Sequence, residues 1–540
     1  MKLSYIISHL SHSLHFIPIT TKILSPVFSA DFHCHVHKIR FAVLAENKQG
    51  FFEVGCRASH CIDEGVLLQN VGRGYERVQT PRLGFRASIR KNSRPKAADY
   101  SGEFAEVTAC CWKTTQVSHL EDVESVLRNS GTYPVRKILE IFVYYRRVVR
   151  KDIFQDFGGI LTVQGEDWFK VRSIVNPILM QSKVIHQYMS KLEGVANELV
   201  ENMRHFSRLN ENHQMPDDFE NELYKWALES VGIMALNKHF GCLDLTTPQD
   251  SDPKKLVSAI LDTFDHLYLI EITPPLWKLF STPLYKKFVK NLDFINSVII
   301  KSIDEALAEP IDDSIPEHQL SILHRLGKRD KKVAFTMVID MLISGLDTTG
   351  KTLGSILYFL AKNPEKQAKL REEILKVLPE KDSDITAERL EKLSYLRAVI
   401  KESTRIAPAA FVSFRTTVKD LVLGGYQIPK GTNVTLVSIC TSNSSEHFKD
   451  PEKFMPERWL RETDDEYSFK KVNPFASLPF GYGPRKCIGM RFANLELELA
   501  LIKIIRSFEL SWEHPDMEFA SHLLYGISNP LKLTVKEVTK

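Results

Sequence analysis

The chain has 540 residues, 43% of them hydrophobic, which is enough to bury a large core. A net charge of +4 spread along the chain leaves no clustered basic footprint with aromatic platforms, so nucleic acid is excluded as an expected partner. Eight cysteines in so long a chain, without regular spacing, exclude a secreted disulfide framework and fit free thiols in a reducing compartment.

The best apolar stretch near the start, Ile17 to Val27, is interrupted by Pro18, Lys22 and Pro26, short of the roughly 20 apolar residues a spanning helix needs. No transmembrane anchor is expected there. The first thirty residues contain no Asp or Glu and many Ser and His, which fits an organelle transit peptide, yet no Arg precedes Arg40, and a polar tail reads equally well. Residues 1–115 show no sustained period. Gly72 to Lys96 is basic, Gly-bearing and Pro-punctuated, as a poorly ordered segment would be. His33-Cys34-His35 with His37, and Cys110-Cys111, have no second ligand pair at zinc-site spacing and read as incidental thiols and imidazoles.

From Val117 the pattern turns helical, with amphipathic stretches at Val184 to Phe206, Lys254 to Glu271 and Tyr285 to Ala308 separated by Pro-bearing loops. The loop Thr273-Pro-Pro-Leu276-Trp277-Lys-Leu-Phe280 mixes aromatic and basic groups, as an interfacial membrane contact does and as a buried connection also can. Val333 to Leu360 is apolar on most sides and should be a long buried helix, so its polar insert Ser344-Gly-Leu-Asp347-Thr348-Thr349 needs a reason. Glu402-Ser-Thr-Arg405 sits on a helix ending before Pro408, three residues apart and therefore on one face. Short alternating segments at Leu421 to Ile428, Val434 to Ile439 and Leu531 to Val535 supply a little sheet.

The strongest signal is Phe480-Gly-Tyr-Gly-Pro-Arg485-Lys-Cys487-Ile-Gly489 before a helix with an apolar face at Ile488, Phe492, Leu495, Leu499 and Ile502. Glycines let backbone pass close to a flat object, and a Cys at a helix start is favoured as thiolate. A lone Cys is more often a core thiol. This spacing, however, resembles the haem-binding loop of the cytochrome P450 family, and the likeness covers about four fifths of the chain, from roughly Val117 to the end.

The resemblance implies a mainly α fold with minor sheets, haem b lying between the long central helix and the Cys loop, and Cys487 as the iron ligand. It places Phe480 over the sulfur and assigns haem contacts to Arg485, to Trp168 and Arg172 of Trp168-Phe-Lys-Val-Arg172, and to Arg415 of Phe414-Arg415-Thr-Thr. It makes Glu402, Arg405 and Arg458 of Phe454-Met-Pro-Glu-Arg458-Trp a structural triad, and gives proton delivery to Asp347 and Thr348. Ser344 stands where the family usually has Ala or Gly. Arg397, Lys401 and Arg491 resemble the basic face on which mitochondrial members dock a small acidic ferredoxin of the adrenodoxin type, and Val171 to Gln181 looks like the insect detoxification relatives. The family's usual Pro-rich hinge, first helix and first two strands cannot be placed, so 1–115 is expected to be a transit peptide or a gene-model artefact, and 116–540 the haem-thiolate domain.

The implied activity is insertion of one atom of O2 into a lipophilic small molecule, a steroid or xenobiotic, with electrons from NADPH through ferredoxin reductase and ferredoxin. Met341, Ala410, Phe411, Val412 and Leu524 are the expected pocket residues. The expected location is mitochondrial, on the matrix side of the inner membrane, with peripheral membrane contact. A reductase-coupled microsomal enzyme and a non-catalytic or decayed haem protein stay open as alternatives.

Overall fold

The computed structural model describes residues 38–45, 48–55, 105–109 and 112–538, except 156, 182–185, 311–313 and 381–382. The His33 to His37 run, Cys110-Cys111, the first thirty residues and Gly72 to Lys96 lie outside them. Strands β1 (Lys38–Ala45) and β2 (Lys48–Gly55) form an antiparallel hairpin in the first of two compact units, 1–72. Everything below concerns the second, 73–540.

That unit is built from helices. Those that matter for the site are α1 (Gly165–Leu179), α2 (Glu220–Leu236), α3 (Asp252–Ile272), α4 (Lys331–Lys362), α5 (Ser394–Ile406) and α6 (Met490–Ser507). The stretch expected to be a long buried helix is α4. It starts where the Asp330 carboxylate accepts the amides of Lys332 and Val333 at 2.8 and 2.9 Å, and it ends at Asn363, just before a proline that opens the next helix. Among the described residues it is the helix long and apolar enough to cross a membrane, yet most of it is buried inside the protein core. Helix α2 packs closely along it because α4 carries glycine at the contact: a Cβ on Gly345 would sit 2.7 Å from Val231, and one on Gly350 would sit 2.5 Å from Tyr224.

Sheet is minor, as expected. The largest sheet has the order β3-β4-β8-β5, with β3 (Ala105–Ala109) antiparallel to β4 (Trp112–Val117), β4 parallel to β8 (Asn433–Val437), and β8 antiparallel to β5 (Val412–Thr416). Hence β4 spans the 115/116 border drawn from the sequence, and β3 precedes it. The segment Trp112-Lys-Thr-Thr-Gln-Val has no apolar alternation to announce a strand; its β-structure comes from pairing with β8, more than 300 residues away. The strand expected to reach Ile439 stops at Val437, because Ser438 turns its amide and hydroxyl onto the Phe411 carbonyl at 3.0 and 2.9 Å. The Leu421 to Ile428 segment is a hairpin of β6 (Leu421–Leu423) and β7 (Tyr426–Ile428). At the carboxyl end only Thr534 onward is strand, paired with Phe508–Ser511, while Leu531 and Leu533 are core.

The Glu402 triad forms as anticipated, at 0% exposure for all three side chains. Arg405 grips Glu402 through two bonds of 2.8 and 2.9 Å, Arg458 adds one of 2.9 Å, and the Trp459 indole and Met455 amide fill the remaining lone pairs at 2.8 and 3.1 Å. Outward-facing guanidinium protons go to the carbonyls of Ser442, Pro451, Lys449 and Asp450. The carboxylate therefore ties α5 to the long irregular segment that leads to the Cys loop, and burial is tolerated because nearly every polar atom is satisfied. Replacing Glu402 with Ala would strand two buried guanidiniums and is expected to cost about 3–5 kcal/mol of unfolding free energy; a loss below about 1 kcal/mol in chemical denaturation would contradict this architecture.

Candidate active site: a cysteine under an arginine-walled cavity

Gly481 and Gly483 adopt positive φ of 70° and 71°, which curls Phe480 to Arg485 tightly enough for the Cys487 amide to reach back to the Phe480 carbonyl at 2.9 Å. Cys487 then falls just before α6. Its sulfur is open to a cavity of about 420 Å³ and otherwise lies deep within the protein. Burial pushes the thiol up from its ordinary value, while the Gly489 and Met490 amides and the Arg172 guanidinium pull it down. Phe480, expected over the sulfur, lines the same cavity.

Arg485, Arg415 and the pair Trp168 and Arg172 all reach this cavity, so three distant pieces of sequence converge on it. The Arg485 guanidinium lies 3.9 Å over the buried Trp168 ring, and Arg172 is held through the Lys486 carbonyl at 2.7 Å. Arg415 donates to the carbonyls of Phe414 and Tyr482 at 2.8 and 3.3 Å. A fourth arginine, Arg136, completes the wall, donating to the Leu161 carbonyl at 3.4 Å. Sequence reasoning missed it, since nothing in Tyr133-Pro-Val-Arg136 marks it apart from any surface arginine.

These cations are uncomfortable together. Burial, then the neighbouring guanidiniums, lowers Arg485 to about 8; burial lowers Arg415 and Arg172 to about 10. An arginine does not surrender its proton in a protein, so the depression expresses a cost that an anion would relieve. Arg136 Nε, Arg172 Nε, Arg415 Nε and Arg485 Nη1 are buried and lack a hydrogen-bond partner among the described residues. Four convergent cations with spare donors, above a sulfur at the cavity floor, fit a flat metal macrocycle carrying two carboxylates. Haem is such a group.

The opposite wall is α4, which contributes Met341, Ser344, Gly345, Thr348, Thr349 and Thr352. Ser344 Oγ bonds back to the Asp340 carbonyl at 2.6 Å, and Thr348 Oγ1 to the Ser344 carbonyl at 3.0 Å. The hydroxyl at 344 is thus absorbed by its own helix. Thr348 and Asp347 part company: Thr348 faces the cavity, whereas Asp347 turns to the other side of the helix and pairs with Lys351 Nζ at 2.7 Å. Of the expected pocket residues, Met341, Ala410 and Val412 line the cavity. Phe411 instead packs with Val437 and Ile439, because it is the inward residue at the mouth of β5, and Leu524 borders a second pocket.

Asp340 is a further wall residue that sequence did not flag. It forms a fully buried ion pair with Arg146 at 2.5 Å and accepts the Leu161 amide at 3.2 Å. Gly159, at φ +71°, lets the chain pass this pair, where a Cβ would lie 2.7 Å from the guanidinium.

On the other side of α5 the basic residues are partly engaged. Arg397 donates to the Leu390 and Glu391 carbonyls at 2.5 and 2.7 Å, and Lys401 lies 5.8 and 6.0 Å from the Trp459 and Phe469 rings while remaining exposed. Arg491 is half-buried near the start of α6. In the Thr273 to Phe280 loop, Trp277 stacks on Tyr285 and touches Tyr144, whereas Leu279 and Phe280 are more than half exposed.

If the arginine wall holds haem carboxylates, removing one charged donor should weaken haem retention by about 1.5–3 kcal/mol, or roughly ten- to a hundredfold in Kd. Haem titration of Arg485→Leu and Arg415→Leu would measure this; unchanged affinity in both would remove the wall from the binding site.

Comparison with known proteins agrees with the geometry. Residues 96–535 match the family model "Cytochrome P450". Among curated proteins, the chain is 40% identical over 431 residues to "Cytochrome P450 CYP12A2" of Musca domestica and 41% identical over 430 residues to "Probable cytochrome P450 12a5, mitochondrial" of Drosophila melanogaster, covering 77% of this chain and 80% of each relative. It is 35% identical over 422 residues to "Probable cytochrome P450 301a1, mitochondrial" of Drosophila melanogaster, covering 77% of this chain and 76% of that protein. With its helix-rich fold, its Cys487 loop and a match over most of its length, the chain belongs to the cytochrome P450 family, the haem-thiolate monooxygenases.

Proposed function

We propose that this monooxygenase acts on a lipophilic small molecule, a steroid or a xenobiotic, in mitochondria at the matrix face of the inner membrane, and takes its electrons from NADPH through ferredoxin reductase and a ferredoxin. The observation that carries the substrate class is the cavity itself. Away from the arginines its walls are mostly apolar, with Val231, Met234, Met337, Met341 and Ile160 among them, so hydrophobic transfer favours a nonpolar ligand over a charged one. The location rests on the relatives whose names carry the word mitochondrial.

Haem bound through Cys487 would supply the iron at which O2 is reduced and cleaved, helped by electron density from the thiolate. The chain's own residues do the rest. Phe480 lines the cavity beside Cys487, and the amides of Gly489 and Met490 favour the sulfur's charge. Arg136, Arg172, Arg415 and Arg485, with Trp168 beneath Arg485, fix the cofactor's carboxylates. Glu402, Arg405 and Arg458 keep the backbone behind the loop rigid. Thr348 presents a hydroxyl to the cavity, and Asp347, once released from Lys351, supplies the proton that this hydroxyl passes on. Arg397, Lys401 and Arg491 give a cationic face for an acidic ferredoxin, a contact that salt should weaken.

Two experiments test the reading. Haem-loaded protein supplied with ferredoxin and its reductase should turn over a lipophilic substrate, and supplied with the flavoprotein reductase of microsomal enzymes it should not; the reverse preference would overturn the electron route. Thr348→Ala should keep NADPH consumption but divert most of it to hydrogen peroxide, with product falling about tenfold or more; full coupling in that variant would exclude Thr348 from proton delivery.

A further inference from the structure

Consecutive residues of α4 face two different spaces. Thr348 faces the large cavity, whereas Asp347 faces a second pocket of about 160 Å³, bordered also by Lys351, Tyr224, Asp265 and His522. The polar groups of this pocket are graded in exposure: the side chains of Asp347, Lys351, Asp265 and His522 are 2%, 21%, 63% and 60% exposed. They are also paired in that order, Asp347 with Lys351 at 2.7 Å and Asp265 with His522 at 3.3 Å. The two pairs line one pocket, with a buried carboxylate in the first and an exposed carboxylate and imidazole in the second.

Four segments supply it. Helix α4 gives Asp347 and Lys351, α2 gives Tyr224, α3 gives Asp265, and the turn after Ser521 gives His522. Tyr224 donates to Glu220 at 3.5 Å, and its ring fills the space that Gly350 leaves. With one lysine and one histidine the pocket holds the acids Asp265 and Asp347, and Glu220 lies close enough outside it to feel the charge of Lys351. Burial raises Asp347 and carries Glu220 up to about 7, and Lys351 opposes both shifts. A structural salt bridge needs neither a pocket beside it nor a graded path to water.

We infer that this second pocket is the solvent inlet that supplies protons to Asp347, with Lys351 as the relay and Asp265 and His522 at its mouth. The inference rests on the assignment of proton delivery to Asp347 and Thr348. Monooxygenation combines O2, two protons and two electrons with substrate to give hydroxylated product and water, so each cycle must draw protons from the solvent. In the inlet a proton from water joins His522 or the Asp265 carboxylate. Lys351 releases one ammonium proton to the Asp347 carboxylate and regains one from the mouth. Asp347, now neutral, has no Coulombic hold on Lys351 and can turn toward Thr348. Only O–H and N–H bonds are exchanged, and no electron moves.

The test uses the full haem-loaded chain with ferredoxin, its reductase and NADPH, following O2 consumption across pH in H2O and D2O. Lys351→Met and the double variant Asp265→Asn, His522→Phe should slow the reaction about tenfold or more and enlarge the solvent isotope effect. Lys351→Arg, which keeps the charge but holds its protons, should be as slow as Lys351→Met. A readout independent of turnover is the infrared titration of 13C-labelled aspartate carboxyls: loss of the Lys351 cation should move the Asp347 band to higher pH. Wild-type or faster rates in Lys351→Met, rescue by Lys351→Arg, or an unmoved Asp347 band would overturn the inlet. If Asp347→Asn were itself without effect, the relay through Asp347 would fall first and the inlet with it, a result distinct from slow Asp347→Asn beside fast Lys351→Met.

Discussion

The constraint on which this structure depends is a cysteine sulfur set deep inside the protein that must carry charge to hold a metal. Burial drives Cys487 toward its neutral form, and an apolar surrounding alone would leave an inert thiol. What opposes burial is local: the amides at the start of α6, and Arg172 behind the loop. Those amides point at the sulfur only because the two glycines at positive φ fold the preceding loop back on itself. The Glu402 network then fixes the segment from which that loop springs. A buried carboxylate with two guanidiniums is a poor source of stability compared with apolar packing, but a backbone shift that parted them would leave buried charges unpaired.

The cavity poses the opposite electrostatic problem. Four guanidiniums converge on one wall with donors to spare, and each makes its neighbours harder to bury. Among the described residues no carboxylate forms an ion pair with that wall; Asp340 is close enough to favour the charge on Arg136 but is itself committed to Arg146. Such an arrangement makes sense when the missing charge arrives with a cofactor, so that haem binding and domain stability are linked. The opposite wall shows the same economy: the hydroxyls of Ser344, Thr348 and Thr352 all return to carbonyls of α4, which leaves the helix polar inside yet satisfied.

How much of this could be read from the sequence follows from how local each signal is. The Cys487 loop, the Glu402 to Arg405 spacing and the Trp168 to Arg172 pair are encoded within a few residues, so each could be named from the sequence. Long apolar periods gave the helices to within a few residues at most ends. What escaped depends on partners far away in the chain. Arg136 and Asp340 acquire meaning only when the fold brings Arg415, Arg485 and Arg146 beside them. Strand β4 exists because β8 lies next to it. Asp347 and Thr348 are adjacent in sequence, and a motif treats them as one unit; on a helix, adjacent residues point about 100° apart, which is why they face different pockets.

The most direct measurement is the carbon monoxide difference spectrum of the reduced, haem-loaded protein beside its Cys487→Ala variant. Wild type should give the strongly red-shifted Soret band of a thiolate ligand, and the variant should lose that band even if it still takes up haem. The same red-shifted band in the variant would mean that Cys487 does not hold the iron, and the account of the site would be wrong.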